Sequence, residues 1–293
     1  MDTGNQSLKT EHTIGIIGSG QMGSGIAQVC AASGYSVYLF DVMDGALEKA
    51  RKSISSSLLK FVEKEKITDA HRDASLSRLA FTTKIADLQH CSIIIEAVPE
   101  SLSIKQDIFQ QIGNFANDDI IVASNTSSLS ITALSNLYPH PKKFVGLHFM
   151  NPVPMIPLVE VICGADTSSQ TIQIITDFAK TLGKTVVQSK DSPGFIVNRI
   201  LLPTINEAIH TLADGIGSAE DIDIAMKLGA NWPIGPLALA DLIGLDTCLA
   251  IMNVLENGFH DKKYAPCPLL KDHVQQGKLG RKTGEGFYKY DQH

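Results

Sequence analysis

The sequence has no long apolar run, few aromatic residues and no excess of positive charge. Of its 293 residues 6% are aromatic, one is a tryptophan, and the net charge is −6. No apolar run approaches the ~20 residues that a membrane-spanning helix needs. No stretch of the chain has the broad basic character of a nucleic-acid-binding surface. We therefore expect neither a membrane nor a nucleic acid as a partner.

Cysteine is also sparse, and its distribution argues against a disulfide framework. The five cysteines are Cys30, Cys91, Cys163, Cys248 and Cys267. Their number is odd and no two of them form a CxxC pair, so we expect reduced thiols and no metal site. The N-terminal segment, MDTGNQSLKTEH, lacks the apolar core of a signal peptide and the arginine-rich pattern of a transit peptide. These features predict a soluble, cytoplasmic protein.

The first two thirds of the chain alternate between two patterns. Runs rich in β-branched residues predict strands at residues 13–17, 35–41, 92–98, 120–125, 143–149, 158–163 and 185–190. Helical patterns cover residues 22–33, 45–66, 101–114 and 168–182. Several strands are apolar without alternation, as in parallel sheets that are covered on both faces. We predict an α/β domain over residues 1–190, with a Rossmann-type doubly wound sheet.

Strand signals nearly disappear beyond residue 190. Helical patterns cover residues 193–212, 218–228 and 236–258, with glycine and proline turns such as NWPIGP between them. Pro193 is expected to be the first residue of its helix, a position that favours proline. We predict an all-α domain over residues 191–293.

A glycine-rich loop follows the first predicted strand. The stretch TIGIIGSGQMGSGIA contains Gly18, Gly20 and Gly23 in the spacing GxGxxG, before an amphipathic helix. In a dinucleotide-binding loop these glycines allow a tight turn, close approach of a diphosphate and close packing of the helix on the strand. The helix N-terminus adds unpaired N–H groups and a positive dipole end. The alternative is a structural turn, but the strand–loop–helix context favours a dinucleotide site.

A carboxylate at the end of the second predicted strand indicates which dinucleotide binds. Asp41 lies 23 residues after Gly18, near the ~20 expected for the residue that binds the adenosine ribose. A carboxylate accepts hydrogen bonds from the 2′-hydroxyl and repels a 2′-phosphate. The sequence therefore favours NAD over NADP.

A histidine and a glutamate are placed symmetrically about a proline-rich loop. In KFVGLHFMNPVPMIPLVEVIC, His148 and Glu160 each lie six residues from Pro154. In an antiparallel hairpin centred there they are direct cross-strand partners, with Cβ atoms about 5 Å apart. Such a carboxylate orients an imidazole and stabilises its cationic form, as in a catalytic base. The alternative is a core histidine satisfied by a carboxylate, and the pairing alone does not decide between them.

Seven ordered motifs resemble the L-3-hydroxyacyl-CoA dehydrogenase family, and within it the 3-hydroxybutyryl-CoA dehydrogenases. They are GIIGSGQMGSGIA, EAVPE, ASNTSSLSI, GLHFMNPVPMIPLVEV, KDSPGFIVNRIL, PIGPLALADLIGLD and GRKTGEGFYKY. The resemblance spans nearly the whole chain. It implies NAD-dependent, reversible oxidation of an (S)-3-hydroxyacyl-CoA, such as 3-hydroxybutyryl-CoA, to the 3-oxoacyl-CoA, such as acetoacetyl-CoA. It places the enzyme in fatty acid (β-oxidation) or butanoate metabolism and implies a homodimer through the helical domain.

The resemblance also implies roles for particular residues. His148 looks like the catalytic acid/base and Glu160 like its partner. Ser127, in SNTSS, matches a serine that hydrogen-bonds the reacting oxygen near the nicotinamide. Asn198, in IVNR, is expected to hold the substrate near a cleft between the domains. By pattern alone, Ser127 would be a polar cap after a strand and Asn198 a polar residue of a helix face.

The remaining implied residues bind the cofactor or the substrate. The cofactor-binding set adds Ser19, Gln21, Met22, Glu100, Lys105 and Lys282 to the glycines, Asp41 and Ser127. The substrate-binding set adds Ser57, Lys64 and Asn151 to Ser127 and Asn198. A solvated lysine-rich helix face is the alternative for Ser57 and Lys64, as simple turn chemistry is for Asn151.

Two other functions fit parts of this pattern. A relative that oxidises a free sugar acid such as gulonate would use the same nucleotide domain and His–Glu pair but needs no coenzyme A groove. A crystallin-like structural relative would be abundant and non-catalytic, although the joint retention of Ser127, His148, Glu160 and Asn198 argues against it.

Overall fold

The computed structural model describes residues 12–291 and divides into two compact units between Ser192 and Pro193. Residues 1–11 lie outside the described residues, and so does most of the polar N-terminal segment in which we expect no targeting signal.

The first unit is built on one sheet. Its strands are β1 (Thr13–Ile17), β2 (Ser36–Phe40), β3 (Leu79–Thr82), β4 (Ile93–Glu96), β5 (Ile121–Ser124), β6 (Phe144–Phe149), β7 (Leu158–Cys163) and β8 (Thr185–Lys190). Within residues 12–291 these eight strands pair in the order β3-β2-β1-β4-β5-β6-β7-β8. The neighbours are parallel except β6 and β7, which are antiparallel. The predicted Rossmann-type doubly wound sheet is confirmed.

The sheet is sandwiched because its central strands are apolar on both faces. Every residue of β4, β5 and β6 is buried, which requires cover on each side. The flanking helices are α1 (Gln21–Ala32), α2 (Asp44–Glu63), α3 (Asp69–Ser77), α4 (Leu102–Gly113), α5 (Ile131–Ser135) and α6 (Ser169–Thr181). A continuous core between them includes Ile16, Leu39, Ile95 and Leu147, all fully buried.

Strand β3 and the helices α3 and α5 of the first unit have no counterpart in the sequence prediction. Strand β3 is four residues long, LAFT, at the edge of the sheet, and none of its residues is fully buried. Such a short, half-exposed strand has too little apolar periodicity to be recognised. Helix α3 begins after Thr68, whose hydroxyl accepts a hydrogen bond from the His71 amide as an N-cap.

The second unit is helical, as predicted. Its helices are α7 (Val197–Ala213), α8 (Ala219–Gly229), α9 (Pro236–Ile243), α10 (Leu245–Phe259) and α11 (Pro268–Gln275). They enclose a core that includes Leu202, Leu237, Met252 and Leu255. The C-terminal segment is held by the buried carboxylate of Asp241, which accepts hydrogen bonds from the amides of Phe287 and Tyr288 at 3.0 and 2.9 Å.

The prediction that Pro193 begins a helix is wrong. Gly194 and Phe195 have φ values of 72° and 50°, which are left-handed and incompatible with an α-helix. The helix α7 therefore begins at Val197, and the Arg199 amide donates to the Gly194 carbonyl at 3.1 Å.

The prediction of one helix over residues 236–258 is also wrong. Gly244, at φ 101° and ψ 125°, ends α9, and α10 begins at the next residue. The two helices are bent by 97°. Among residues 12–291 no single helix is long and apolar enough to span a membrane; α9 and α10 meet that length and composition only when taken together.

The break at Gly244 gives a stability test with a definite sign. In a helix interior, Gly→Ala stabilises by roughly 1 kcal/mol. At this backbone geometry Gly244→Ala is instead expected to lower the free energy of unfolding by about 1–3 kcal/mol. The measurement is urea unfolding followed by the fluorescence of Trp232, the sole tryptophan, which lies in the second unit.

Gly229→Ala is the matched control for this test. Gly229 lies in α8, and a β-carbon there has no atom within 4 Å. We expect this variant to be as stable as the wild type or slightly more stable. Stabilisation by Gly244→Ala would contradict the assigned strain.

Candidate functional site

The glycine loop joins the end of β1 to the start of α1. Gly18 has φ 96°, and a β-carbon there would lie 2.7 Å from the Ala97 carbonyl oxygen. A β-carbon at Gly23 would overlap the Gly18 carbonyl oxygen. Gly20, by contrast, faces open space: a β-carbon there has nothing within 4 Å. Two glycines are thus required for packing, and the third leaves the backbone accessible to a ligand.

The loop borders a cavity of about 1000 Å³ in the first unit. Its rim follows the carboxyl ends of three neighbouring strands: Ile17 and Gly18 after β1, Phe40 and Asp41 after β2, Ala97 and Val98 after β4. Open α/β sheets bind ligands in this position. The Gly20 N-cap of α1 has no side-chain partner, which leaves the helix N-terminus facing this rim. These features fit a dinucleotide.

Asp41 is held beside the glycine loop. It follows the last residue of β2, and its Oδ2 accepts hydrogen bonds from the Ser19 amide and hydroxyl at 2.8 and 2.7 Å. Its Oδ1 accepts from the Met43 amide at 3.1 Å. Because a carboxylate has about four acceptor positions, Asp41 retains the capacity to accept from a ribose hydroxyl.

His148 and Glu160 are direct cross-strand partners in the β6–β7 pair. This register is the one that the spacing about Pro154 predicts. The His148 Nδ1 atom lies 2.8 Å from Glu160 Oε2, and the two residues are 6% and 0% exposed. The carboxylate favours the tautomer that is protonated at Nδ1, so Nε2 is the atom that can take up a proton. This arrangement is that of an oriented general base.

The loop that carries Ser127 is held by one carboxylate. Glu100 Oε1 accepts hydrogen bonds from the amides of Ser127 and Ser128, each at 3.0 Å, and from the hydroxyls of Thr126 and Ser128. Burial opposes the charge on Glu100, but the Lys105 ammonium and these hydrogen bonds hold its pKa below the usual value. Glu100 is therefore an ionised anchor for the loop after β5.

Lys105 joins Glu100 to a second carboxylate. Its Nζ lies 2.6 Å from Glu96 Oε1 and 3.2 Å from Glu100 Oε2, and the Lys105 side chain is 1% exposed. The Ser124 hydroxyl donates to Glu96 Oε2 at 2.6 Å. Glu96 is not among the site residues predicted from the sequence. It closes the otherwise apolar strand IIIE. A charge in such a strand must be paired because its burial is otherwise costly, and this signal would have found Glu96.

Lys184 is a second buried residue that sequence reasoning missed. It is 8% exposed, and its Nζ donates to the carbonyls of Val153 and Ile156 at 2.6 and 2.7 Å. Burial lowers the pKa of Lys184. These bonds anchor the loop between β6 and β7, which contains Asn151. Both Asn151 and Val153 line the cavity.

The structure brings together only some of the other predicted residues. Gln21, Met22 and Ser57 line the same cavity as the glycine loop, whereas Lys64 is exposed just after α2. Two predicted residues belong to the second unit: Asn198, the second residue of α7, is 8% exposed, and Lys282 pairs with Asp246. Within residues 12–291, no group of three His, Cys, Asp or Glu residues is placed to hold a metal ion.

The Glu100 anchor predicts an acid-side loss of stability. Because its folded-state pKa lies below the ordinary value near 4.5, its contribution is complete above that pH and is lost as the pH falls through the folded-state pKa. Glu100→Gln removes the charge but keeps the shape. We expect the melting-temperature difference between wild type and variant to be constant from pH 5 to 7 and to shrink below about pH 4.5.

Glu63→Gln serves as the control, since Glu63 is exposed at the end of α2. This variant is expected to have the same melting temperature as the wild type at every pH. A Glu100→Gln difference that stays constant down to pH 3 would contradict the ionised anchor.

Comparison with known proteins identifies the family to which both units belong. Residues 13–192 match the 3-hydroxyacyl-CoA dehydrogenase NAD binding domain, and residues 194–290 match the 3-hydroxyacyl-CoA dehydrogenase C-terminal domain. The chain is 50% identical to the 3-hydroxybutyryl-CoA dehydrogenase of Bradyrhizobium diazoefficiens, over 94% of each protein. It is 49% identical to that of Clostridioides difficile, over 95% of this chain and 99% of the relative.

A solved structure agrees with these relatives. The (S)-3-hydroxybutyryl-CoA dehydrogenase PaaH1 from Ralstonia eutropha is 47% identical and superposes with a TM-score of 0.93, over 97% of this chain and all of that chain. The resemblance drawn from the seven motifs is confirmed, and so is NAD as the cofactor. This chain belongs to the 3-hydroxyacyl-CoA dehydrogenase family of NAD-dependent oxidoreductases.

Proposed function

We propose that the protein oxidises an (S)-3-hydroxyacyl-CoA, with 3-hydroxybutyryl-CoA as the preferred substrate, to the 3-oxoacyl-CoA and catalyses the reverse reaction. The observation that carries the proposal is the buried His148–Glu160 pair at 2.8 Å, in the same unit as the dinucleotide cradle. The names of the relatives at about 50% identity support the substrate class. The reaction belongs to fatty acid or butanoate metabolism.

The proposed chemistry needs one proton acceptor and one hydride acceptor. When bound at Gly18–Gly23 and Asp41, NAD supplies the hydride chemistry of its nicotinamide. In the oxidation, Nε2 of His148 takes the proton from the C3 hydroxyl. Glu160 then stabilises the imidazolium through Nδ1. In the reverse direction His148 returns this proton to the 3-oxo oxygen.

Further residues are proposed to position the reactants. Ser127 and Asn198 would orient the hydroxyl and the thioester carbonyl. Asn151 and Ser57 would contact the substrate, and the support for both is that they line the cavity. Lys64 would meet the anionic phosphates of coenzyme A. The residues proposed to contact the cofactor are Glu100, Lys105 and Lys282. The support for Glu100 and Lys105 is that Glu100 accepts a hydrogen bond from the Ser127 amide and pairs with Lys105.

We also propose a domain assignment and an oligomeric state. Residues 1–190 would bind NAD, and residues 191–293 would serve substrate binding and dimerisation. The second unit exposes the apolar residues Ile200, Ile216 and Leu228 at 65%, 76% and 81%, which supports a homodimer through the helical unit. The stretch PIGPLALADLIGL contributes less, because Leu237 and Ala240 lie in the core of the unit. A cytoplasmic location rests on the sequence features alone.

Initial rates test the proposed function. Acetoacetyl-CoA and longer 3-oxoacyl-CoAs are assayed with NADH, and gulonate with NAD. We expect the highest kcat/KM with acetoacetyl-CoA. Turnover of gulonate but not of any acyl-CoA would replace this function with sugar-acid oxidation, and no turnover of either would favour a structural protein.

Cofactor preference tests the role of Asp41. The wild type should prefer NADH to NADPH, because the carboxylate repels a 2′-phosphate. Asp41→Ser, with a basic residue added nearby, should reduce the ratio of the two kcat/KM values by about 10- to 100-fold, the value of a charged hydrogen bond. Asp44→Ser is the control, since Asp44 lies outside this cavity and its loss should leave the ratio unchanged. Equal wild-type kcat/KM values would contradict the role.

Loss of the imidazole tests His148. His148→Gln should reduce kcat by about 10²–10⁴, the usual contribution of a general base, while the Kd for NADH stays unchanged. His140→Gln is a matched control, because His140 pairs with Asp118 at 2.8 Å on the surface. Near-normal turnover by a folded His148→Gln protein would remove His148 from the mechanism.

A further inference from the structure

The segment between β5 and α5, which carries Ser127, has no regular secondary structure. Its backbone amides nevertheless have partners. The amides of residues 127–129 and 131–133 all donate hydrogen bonds to side-chain oxygens. Backbone amides that are removed from water need such acceptors, so these side chains determine the path of the segment. Glu100 is the acceptor at its start.

Asp191 is the acceptor at the end of the segment. Its Oδ2 accepts from the Ser130 hydroxyl at 2.7 Å and the Thr132 amide at 2.8 Å, and its Oδ1 accepts from the Ile131 amide at 3.1 Å. The N-cap of α5 is a different residue, Ser130, whose hydroxyl accepts from the Ala133 amide. Asp191 follows the last residue of β8, three strands away from β5 in the sheet. It therefore attaches an already capped helix to a distant strand.

This attachment holds Ile131 against the strand that carries His148. A side chain at position 146 would point to the same face of the sheet as His148, because the two positions are two residues apart in β6. Ile131 occupies that space: a β-carbon at Gly146 would lie 2.8 Å from Ile131 Cγ1. Ile131 is also fully buried. The position of Ile131 on β6 therefore limits where Ser127, four residues earlier, lies relative to His148.

We infer that Asp191 is a positioning residue that sets the location of the Ser127 hydroxyl relative to Nε2 of His148. This inference rests on the proposed function, in which Ser127 orients the substrate hydroxyl that His148 deprotonates. Both side chains must then reach one oxygen atom, each within about 3 Å. With Glu100 at one end of the segment and Asp191 at the other, Ser127 lies between two fixed points. Asp191 acts through the segment and not on the substrate.

Asp191→Asn tests the inference because asparagine keeps the shape of the side chain. Its Nδ2 atom cannot accept a hydrogen bond, so the Ile131 amide or the Thr132 amide loses its acceptor. The measurement is the single-turnover rate of NADH oxidation by acetoacetyl-CoA, which separates the chemical step from product release. We expect this rate to fall by about 10- to 100-fold, as for reacting groups misplaced by about 1 Å. The Kd for NADH should stay within about twofold of wild type.

A double-mutant cycle with Ser127→Ala distinguishes positioning from a general structural role. Ser127→Ala alone should reduce the single-turnover rate, and adding Asp191→Asn should then reduce it by no more than about twofold, since the group to be positioned is gone. A structural role would give the same loss in both backgrounds. Equal losses, or a wild-type rate for Asp191→Asn, would overturn the inference.

Ser130→Ala decides the question if Asp191→Asn does not fold. Ser130 is exposed, and this change removes one of the three hydrogen bonds to Asp191. We expect the single-turnover rate to fall by about 2- to 10-fold, as for one lost hydrogen bond, and to be unchanged when the substitution is made in Ser127→Ala. An unchanged rate in the wild-type background, or an equal loss in both backgrounds, would overturn the inference.

Thr68→Ala is the matched control, because it removes the equivalent N-cap from α3 in the same unit. It should lower the melting temperature and leave the single-turnover rate unchanged in both backgrounds. A rate loss equal to that of Ser130→Ala would overturn the inference, since loss of any cap would then explain the effect. A wild type that does not reduce acetoacetyl-CoA refutes the proposed function instead. A normal rate for Ser127→Ala refutes the role of Ser127 and the inference with it.

Discussion

The hydrogen bond between His148 and Glu160 depends on the reversal of chain direction between β6 and β7. In the rest of the sheet that the structure describes, neighbouring strands are parallel. A parallel neighbour needs a crossover helix. Here a loop of only eight residues returns the chain and places the two side chains opposite one another. The same loop, fixed by Lys184, borders the cavity, so one connection determines both the base and part of the cavity wall.

Burial of charge organises the surroundings of this pair. Glu96 is 0% exposed and Lys105 1% exposed, and neither would be tolerated in the apolar interior alone. Their pairing extends through Glu100 to the Ser127 amide, so the ends of β4 and β5 are joined by ion pairs and hydrogen bonds. Rigid support of this kind is what a site needs to hold reacting groups in place. Because the buried charges must stay paired, the loop that carries Ser127 is held in one conformation.

The sequence predicted features that depend on local periodicity. Strands β1 and β7 were predicted at their observed bounds, because their apolar patterns are strong. The symmetric spacing about Pro154 was enough to predict the His148–Glu160 register. The break at Gly244 was not predictable in this way, because the apolar pattern continues through it and only the backbone angle of 101° ends the helix. The partners of Lys184 are carbonyl oxygens, which leave no trace in side-chain patterns.

For the candidate site, the sequence predicted which residues belong to it better than it predicted the contacts between them. The glycine spacing predicted the cradle, and the structure gives a steric reason for Gly18 and Gly23. The resemblance supplied Ser127 and Asn198, whose roles remain predictions. The tie of Glu100 and Lys105 to Glu96 was not predicted, because it requires three residues from different turns to converge. Such convergence arises only when the sheet has folded, and no single segment of the sequence shows it.

The three glycines of the loop are subject to different selective demands. Gly18 and Gly23 are excluded from substitution by neighbouring backbone, so any change there acts on folding first. Gly20 has open space around its α-carbon, and the folded chain alone does not require it. A population of variants screened only for stable folding would therefore keep the first and third glycines and let the second drift. If all three glycines are retained among proteins with this fold, then folding explains the first and third. Only the retention of the second glycine would indicate selection for ligand binding.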